Sequence, residues 1–103
     1  MIKNDQKIAL KYINLMQSAK DRKIDFNLSL SKLIKIYNTK RCFYTNEILT
    51  SENISIDRID NDLGYIDSNI VACTIRINQL KSNMTLKEIQ CICKKLKTLN
   101  LIK

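Results

Sequence analysis

The period of the hydrophobic pattern changes along this chain, and this change constrains the fold more than any other feature. Towards both ends, apolar residues recur every three or four positions, which is typical of amphipathic helices. Two short central runs, 54–59 and 70–73, are instead rich in β-branched residues and are predicted to be strands. The predicted order is helix, helix, hairpin, strand, loop, strand, helix, helix. At 103 residues the chain is expected to form one small α+β domain with little sheet, spanning 1–103.

The first half of the chain is predicted to be mainly helical. A first helix is expected over 4–20, with Asn4 as a possible cap. Ser29 is a good N-cap for a second helix that ends near Asn38. A short hairpin or knuckle is then expected over 42–49. The buried stripe of the second helix is predicted to contain Leu30, Leu33, Ile34 and Tyr37.

Two further helices are predicted after the second strand. Thr74 can cap a helix that ends around 81–83. The last helix, 85–99, has the clearest start signal, because Thr85 and Glu88 have the spacing of a capping box. Its predicted buried stripe contains Leu86, Ile89, Cys93 and Leu96.

The single glycine, the absence of histidine and the spacing of the cysteines limit the loop conformations and the kinds of active or metal site that this chain can form. Gly64 is the only glycine, so we expect the loop 60–65 to need a positive φ there. The chain has no histidine, which excludes histidine triads, histidine-ligated zinc and histidine bases. The four cysteines do not form paired C-x-x-C motifs, so buried thiols are favoured over zinc. They are Cys42, Cys73, Cys91 and Cys93.

The charge is strongly positive and unevenly distributed. Eighteen Lys and Arg against ten Asp and Glu give a net charge of +8, which favours a polyanionic partner such as nucleic acid. A lysine-rich solvated surface is the alternative. Residues 51–72 carry five acidic and one basic side chain, between two basic flanks. This distribution matches the needs of a cation-dependent phosphodiesterase, with carboxylates for the metal and ammonium groups for phosphates.

Four central segments, taken together, resemble the HNH endonuclease family, whose site is built on a ββα-metal finger. Upstream segments are similar to the N-terminal part of small phage and viral HNH proteins, so the resemblance covers roughly 10–90. The central segments are 55–60 (SIDRID), 64–65 (GY), 69–71 (NIV) and 77–81 (INQLK). The upstream segments are 18–22 (SAKDR), 26–29 (FNLS) and 42–45 (CFYT).

The resemblance implies a role for five residues. Asp57 falls on the metal-ligand aspartate, and Arg58 falls on the catalytic histidine. Asn69 falls on the middle asparagine, where it would brace the loop or orient the base. Asn78 falls on the third-position metal ligand, and Lys81 on a lysine that the family often shows three residues later.

The resemblance also implies an architecture and an activity. It implies a ββα core over about 42–83, between a helical part at 4–38 and the C-terminal helix. The implied activity is hydrolysis of phosphodiester bonds with one Mg²⁺ or Mn²⁺ ion, held by Asp57 and Asn78. The predicted partner is nucleic acid, with DNA favoured over RNA. The residues expected to contact its phosphates are Arg58, Arg76 and Lys81.

Arg58 departs from the family pattern, because a guanidinium stays protonated at neutral pH and cannot act as a base. Asp60 and Asp62 are candidate surrogate bases, and Tyr65 is a weaker one. The alternatives are a catalytically lost relative that only binds nucleic acid, and a small module that binds an acidic protein. In a third, structural interpretation, Asp57, Arg58 and Asp60 form a surface ion-pair cluster.

No apolar run approaches the ~18–20 residues of a membrane span, and no signal peptide is visible at the N-terminus. We therefore expect no membrane partner and an intracellular location, either cytoplasmic or at the site of viral or phage DNA.

Overall fold

A computed structural model describes residues 5–103 as an α+β fold with four α-helices and two small sheets. The helices are α1 (Asp5–Asp21), α2 (Leu30–Tyr37), α3 (Ile75–Lys81) and α4 (Leu86–Thr98). The strands are β1 (Phe26–Asn27), β2 (Ile54–Arg58), β3 (Tyr65–Ile66) and β4 (Ile70–Thr74). One turn of 3₁₀-helix, Asp67–Asn69, joins β3 to β4. The described part of the chain contains no helix that is both long and apolar enough to cross a membrane.

Local capping signals place the starts of three helices. Ser29, Thr74 and Thr85 each accept a hydrogen bond from a backbone N–H one turn into the helix that follows. Glu88 also accepts from the Thr85 N–H, which completes the capping box. The three predicted caps are therefore confirmed. The predicted cap at Asn4 lies outside the described residues.

The sheets are short, and one of them was not predicted. β2 and β4 pair in antiparallel register, with Asp57 opposite Val71, as the two central runs indicate. β1 pairs in parallel with β3, in a segment that the sequence pattern treats as a break. Two-residue strands carry no periodic signal, which is why β1 was missed. The expected hairpin over 42–49 is reduced to a single bridge between Arg41 and Ile48.

The core lies between α1, α2 and the two sheets. The α2 prediction is partly wrong, because Leu30 is 41% exposed and Ile36 is buried in its place. The hydrophobic residues buried in this core are Ile8, Ala19, Leu28, Leu33, Ile36, Tyr37, Tyr65, Ile70 and Ala72.

The prediction that α4 contributes a buried stripe is wrong. None of its residues is buried, and Ile92 is 50% exposed. Its apolar side instead lines a shallow groove with Tyr44, Ile77 and Leu80. The helical period correctly identifies which face is apolar, but the period cannot show how much of that face the rest of the chain covers.

The thiol prediction is right for two cysteines and wrong for two. Cys42 and Cys73 are buried, whereas Cys91 and Cys93 are exposed on α4. Burial raises the pKa of the Cys73 thiol to about 12, and the nearby Asp57 carboxylate adds to this effect. Cys73 is therefore a neutral, protonated and buried residue of β4, paired with Ser55 of β2.

Gly64 is needed for a different reason from the predicted one. Its φ is not positive, so the prediction of a left-handed conformation is wrong. A Cβ at this position would lie 2.4 Å from the carbonyl oxygen of Asp25. The Tyr65 N–H donates to that same oxygen at 2.8 Å, where β3 meets the chain before β1. Glycine therefore permits a close backbone approach.

Candidate functional site

A polar cleft of about 450 Å³ lies where β2, α3 and the end of α1 meet. Asp57 of β2 and Asn78 of α3 are among the residues that line it. The backbone explains this convergence, because α3 follows β4 directly and β4 pairs with β2. The remaining lining residues are Ser18, Arg22, Ile56, Arg58, Asn61, Tyr65, Ser82 and Asn83.

The Asp57 carboxylate is almost fully buried and has two partners. Lys81 Nζ lies 3.2 Å from its Oδ2, and the Tyr44 hydroxyl donates to the same oxygen at 2.5 Å. Lys81 Nζ also donates to the carbonyl oxygen of Arg58 at 2.8 Å. A buried carboxylate needs such partners to remain charged. Lys81 Nζ also lies 3.5 Å from Oδ1. Lys81 therefore balances Asp57 inside the fold, and Oδ1, which lacks the hydrogen bond from Tyr44, has the weaker contacts of the two carboxylate oxygens.

Tyr44 acts as a hydrogen-bond donor in this arrangement. Desolvation raises its pKa well above the usual range, and the hydrogen bond to Asp57 raises it further. The phenol therefore keeps its proton and holds the carboxylate in place.

Asn78 is oriented through its amide nitrogen. Nδ2 donates to Ser55 Oγ at 2.8 Å and to the carbonyl oxygen of Ile56 at 3.2 Å. Both hydrogen bonds fix the amide plane against β2. The side-chain oxygen, a hard ligand, is left as the group that Asn78 offers to a molecule in the cleft.

Arg58 holds the loop that follows β2 and stacks on an aromatic ring. Its Nη1 donates to the carbonyl oxygens of Asn61 at 3.1 Å and Leu63 at 2.9 Å. Its guanidinium lies 5.3 Å from the ring centroid of Tyr65. These contacts use part of the five-donor fork, so the side chain both anchors the loop and carries positive charge into the cleft.

Asn69 holds the loop that follows β2 through three side-chain hydrogen bonds. It is buried, and its Oδ1 accepts from the Asp60 N–H at 2.9 Å. Its Nδ2 donates to the carbonyl oxygens of Asp60 and Gly64, each at 3.0 Å. Asn69 does not line the cleft, so its role in the structure is to hold the loop.

The structure separates the other predicted residues from the cleft. Asp60 accepts a hydrogen bond from the Asp62 N–H within the loop, and neither carboxylate lines the cleft. Arg76 is exposed on α3 and does not line it either. The cleft therefore brings together Asp57, Arg58 and Asn78, with Lys81 bound to Asp57.

Sequence reasoning assigned no role to Arg22 or Tyr44. Arg22 lies in the cleft and its Nη2 donates to the Tyr65 hydroxyl, 43 positions away, at 2.6 Å. Both residues fall inside segments that carry the HNH resemblance, 18–22 and 42–45, and that was the only signal for them. Each acts through a non-local contact that no local pattern encodes.

The acidic content of the cleft is low. Among the side chains that the structure describes, no three of Cys, Asp or Glu form a group that could hold a metal ion. A cation in this cleft would have to use the Asp57 carboxylate, the Asn78 amide oxygen and water.

The comparisons link the chain to a phage protein. It is 34% identical over 88 residues to an uncharacterized 29.0 kDa protein from the dda-modA intergenic region of Enterobacteria phage T4. The match covers 82% of this chain and 36% of the phage protein, so the chain spans about a third of that relative. No protein-family model and no solved structure matches the chain.

Proposed function

We propose that this chain is an HNH-like domain of the endonuclease type, which binds nucleic acid and hydrolyses a phosphodiester bond in the cleft. One observation carries the proposal: Asp57 and Asn78 line the same polar cleft. They stand on the first strand and the helix of a strand–strand–helix unit formed by β2, β4 and α3. This is the arrangement that the HNH resemblance implies for the two metal ligands.

The donor set fits a single hard cation. A carboxylate oxygen and an amide oxygen are ligands that Mg²⁺ and Mn²⁺ accept, with water completing the shell. Asp57 Oδ1 and the Asn78 side-chain oxygen would hold the ion. When bound, such a cation neutralises charge on the phosphate and on the leaving oxygen.

The chain's own residues bind and orient the phosphodiester. Arg58 contributes a fixed positive charge that suits a non-bridging phosphate oxygen. Lys81 acts on Asp57 and not on phosphate, because it is 9% exposed and its ammonium contacts Asp57 and the Arg58 carbonyl. Lys81 is therefore a positioning residue in this proposal.

The ion pair between Lys81 and Asp57 favours a second candidate function, nucleic-acid binding without cleavage. An ammonium already neutralises the carboxylate that would hold the cation. Among the described residues that line the cleft, Asp57 supplies the only carboxylate. A domain that binds nucleic acid without cleaving it is therefore the alternative.

Incubation of supercoiled plasmid with the protein and Mn²⁺ or Mg²⁺ tests both functions. The endonuclease proposal expects nicking that is lost in Asp57→Asn and in Asn78→Ala, with circular dichroism to show that each variant folds. Glu52→Gln is the control, because this carboxylate is exposed and lies outside the cleft. Nicking that survives both cleft variants contradicts the proposal. Salt-sensitive DNA binding without any nicking supports the alternative.

A further inference from the structure

Two arginines flank the ring of Tyr65 at one side of the cleft. The guanidinium carbons of Arg22 and Arg58 lie 5.9 and 5.3 Å from its centroid. Arg22 also donates to the Tyr65 hydroxyl at 2.6 Å. Both arginines line the cleft. Both positive charges are therefore held close to the same aromatic ring.

Neither arginine belongs to the salt bridge that the structure describes, which joins Lys81 to Asp57. The hydrogen bonds of both guanidiniums go to neutral oxygens, namely the Tyr65 hydroxyl and two loop carbonyls. Like charges repel each other, so an anion that contacts both guanidiniums would lower the electrostatic energy of this region.

The position of the ring is fixed by the fold. Tyr65 is buried, and its backbone pairs with Phe26 in the parallel β1–β3 sheet. Its ring also packs against the Phe26 ring, with centroids 6.0 Å apart. Arg58 is held in addition by the loop that Asn69 braces. Donors fixed in advance bind an anion at a smaller entropic cost than mobile surface side chains.

We infer that Arg22 and Arg58, positioned by Tyr65, form a phosphate-binding subsite in the cleft. Guanidinium forks match the geometry of phosphate oxygens, and each fork keeps N–H donors beyond those used in the fold. The phosphate can belong to an internal phosphodiester or to the end of a strand. The identification of the polymer rests on the proposed function, whereas the affinity for phosphate itself does not.

The main test compares Arg22→Gln with Arg41→Gln in binding to a short DNA duplex at several salt concentrations. Arg41 is a matched control, because it is an exposed arginine outside the cleft. We expect Arg22→Gln to lower the magnitude of the slope of log K against log salt by about 0.9, the loss of one phosphate contact. Arg22→Lys keeps the charge and should retain most of the slope while losing affinity. Equal slopes for Arg22→Gln, Arg41→Gln and the unmodified chain overturn the inference.

A second test identifies the source of the phosphate. Inorganic phosphate is titrated while NMR signals of the arginine side chains are followed, and we expect those of Arg22 and Arg58 to shift, but not that of Arg41. Oligonucleotides with and without a 5′-phosphate are then compared. Equal affinity indicates an internal phosphodiester, whereas tighter binding of the phosphorylated strand only when Arg22 is present indicates a strand end. Either result supports the subsite when the Arg22 and Arg58 signals also shift in phosphate, and the absence of both shifts overturns it.

The two proposals fail differently. Nicking or DNA binding that is unchanged in Arg22→Gln, with no shift of the Arg22 signal in phosphate, removes the subsite and leaves the proposed function standing. A chain that ignores DNA but binds inorganic phosphate through Arg22 removes the proposed function and supports the subsite.

Discussion

Lys81 Nζ lies 3.2 Å from Asp57 Oδ2, and only 9% and 4% of the two side chains are exposed. The aspartate that is the candidate metal ligand is therefore the partner of an internal cation. Removing two charges from water is costly, so the pair is held together by its mutual attraction and by added hydrogen bonds. Tyr44 and the Arg58 carbonyl provide those bonds. The stability of the fold and the chemistry of the cleft are thus linked through one carboxylate.

Loss of the ammonium should destabilise the fold. Lys81→Met keeps most of the side-chain volume but leaves Asp57 buried without its cation, and we expect a loss of about 3 kcal/mol in the free energy of unfolding. Urea denaturation measures the loss. Lys94→Met, at an exposed site on α4, is the control and should change stability by less than about 0.5 kcal/mol. Equal effects of the two variants would show that the buried pair contributes nothing.

The same variant tests metal binding at Asp57. Without the ammonium, a divalent cation is the natural replacement on the carboxylate, so Mn²⁺ should raise the melting temperature of Lys81→Met more than that of the unmodified chain. Asn78→Ala in the Lys81→Met background should reduce the Mn²⁺ effect. If Mn²⁺ shifts neither melting temperature, Asp57 is not a metal ligand.

The hydrogen bond from Tyr44 should be worth more than that of an ordinary tyrosine. Tyr44→Phe removes a donor to a carboxylate, for which we expect a loss of about 2 kcal/mol. Tyr12→Phe removes a similar bond to the neutral carbonyl of Leu28, at 2.6 Å, and should cost about 1 kcal/mol. The comparison uses chemical denaturation of both variants. A larger loss for Tyr12→Phe would contradict the description of the Asp57 environment.

Local signals predict the fold well where a structure depends on neighbours in sequence. Thr85 and Glu88 form their capping box within one helical turn, and Ser29 caps α2 in the same local way. The apolar stripe of α4 is also a local signal, but its burial depends on distant residues, so the prediction that Leu86 and Cys93 are buried is wrong. Gly64 is conspicuous as the only glycine of the chain. The reason that a glycine is needed there is the close approach of the Asp25 carbonyl, which is distant in sequence.

The candidate site was accessible to sequence reasoning only in part. Asp57 and Asn78 were selected through the family resemblance, and pairing of β4 with β2 then brings them to one cleft. The contacts that define their environment are not encoded locally. Tyr44 reaches Asp57 across 13 positions and Arg22 reaches Tyr65 across 43, and no periodic pattern indicates either contact.

Replacing the amide nitrogen of Asn69 alone should destabilise the fold. Asn69→Asp replaces the amide nitrogen with an oxygen that cannot donate to the carbonyls of Asp60 and Gly64, and we expect a loss of about 3 kcal/mol. The Asp60 amide proton should also exchange faster in Asn69→Ala, because its acceptor is gone. Asn53→Asp, at a less buried asparagine with one bond to a carbonyl, is the matched control and should lose about 1 kcal/mol. Similar losses at the two positions would contradict the bracing role.

Asp67 should make part of the stability depend on pH. Hydrogen bonds from the Ser29 N–H and hydroxyl, both at 2.8 Å, lower the pKa of the Asp67 carboxyl below its ordinary value of 3.8. A carboxyl whose pKa is lower in the folded state contributes stability that is fully present above the unfolded value and is lost as the pH falls through the folded value. Protonation of Asp67 therefore weakens the hydrogen bonds that connect the 3₁₀ turn to Ser29 at the start of α2.

Urea unfolding of Asp67→Asn between about pH 6 and about pH 2 measures this contribution. We expect the variant to be less stable than the unmodified chain near neutral pH, and the difference to shrink steadily below the ordinary pKa of 3.8. Glu52→Gln is the control, because it removes an exposed carboxylate elsewhere and should leave the difference from the unmodified chain small throughout. A stability difference for Asp67→Asn that stays constant down to the lowest pH would show that the Ser29 contacts do not depend on the charge of Asp67.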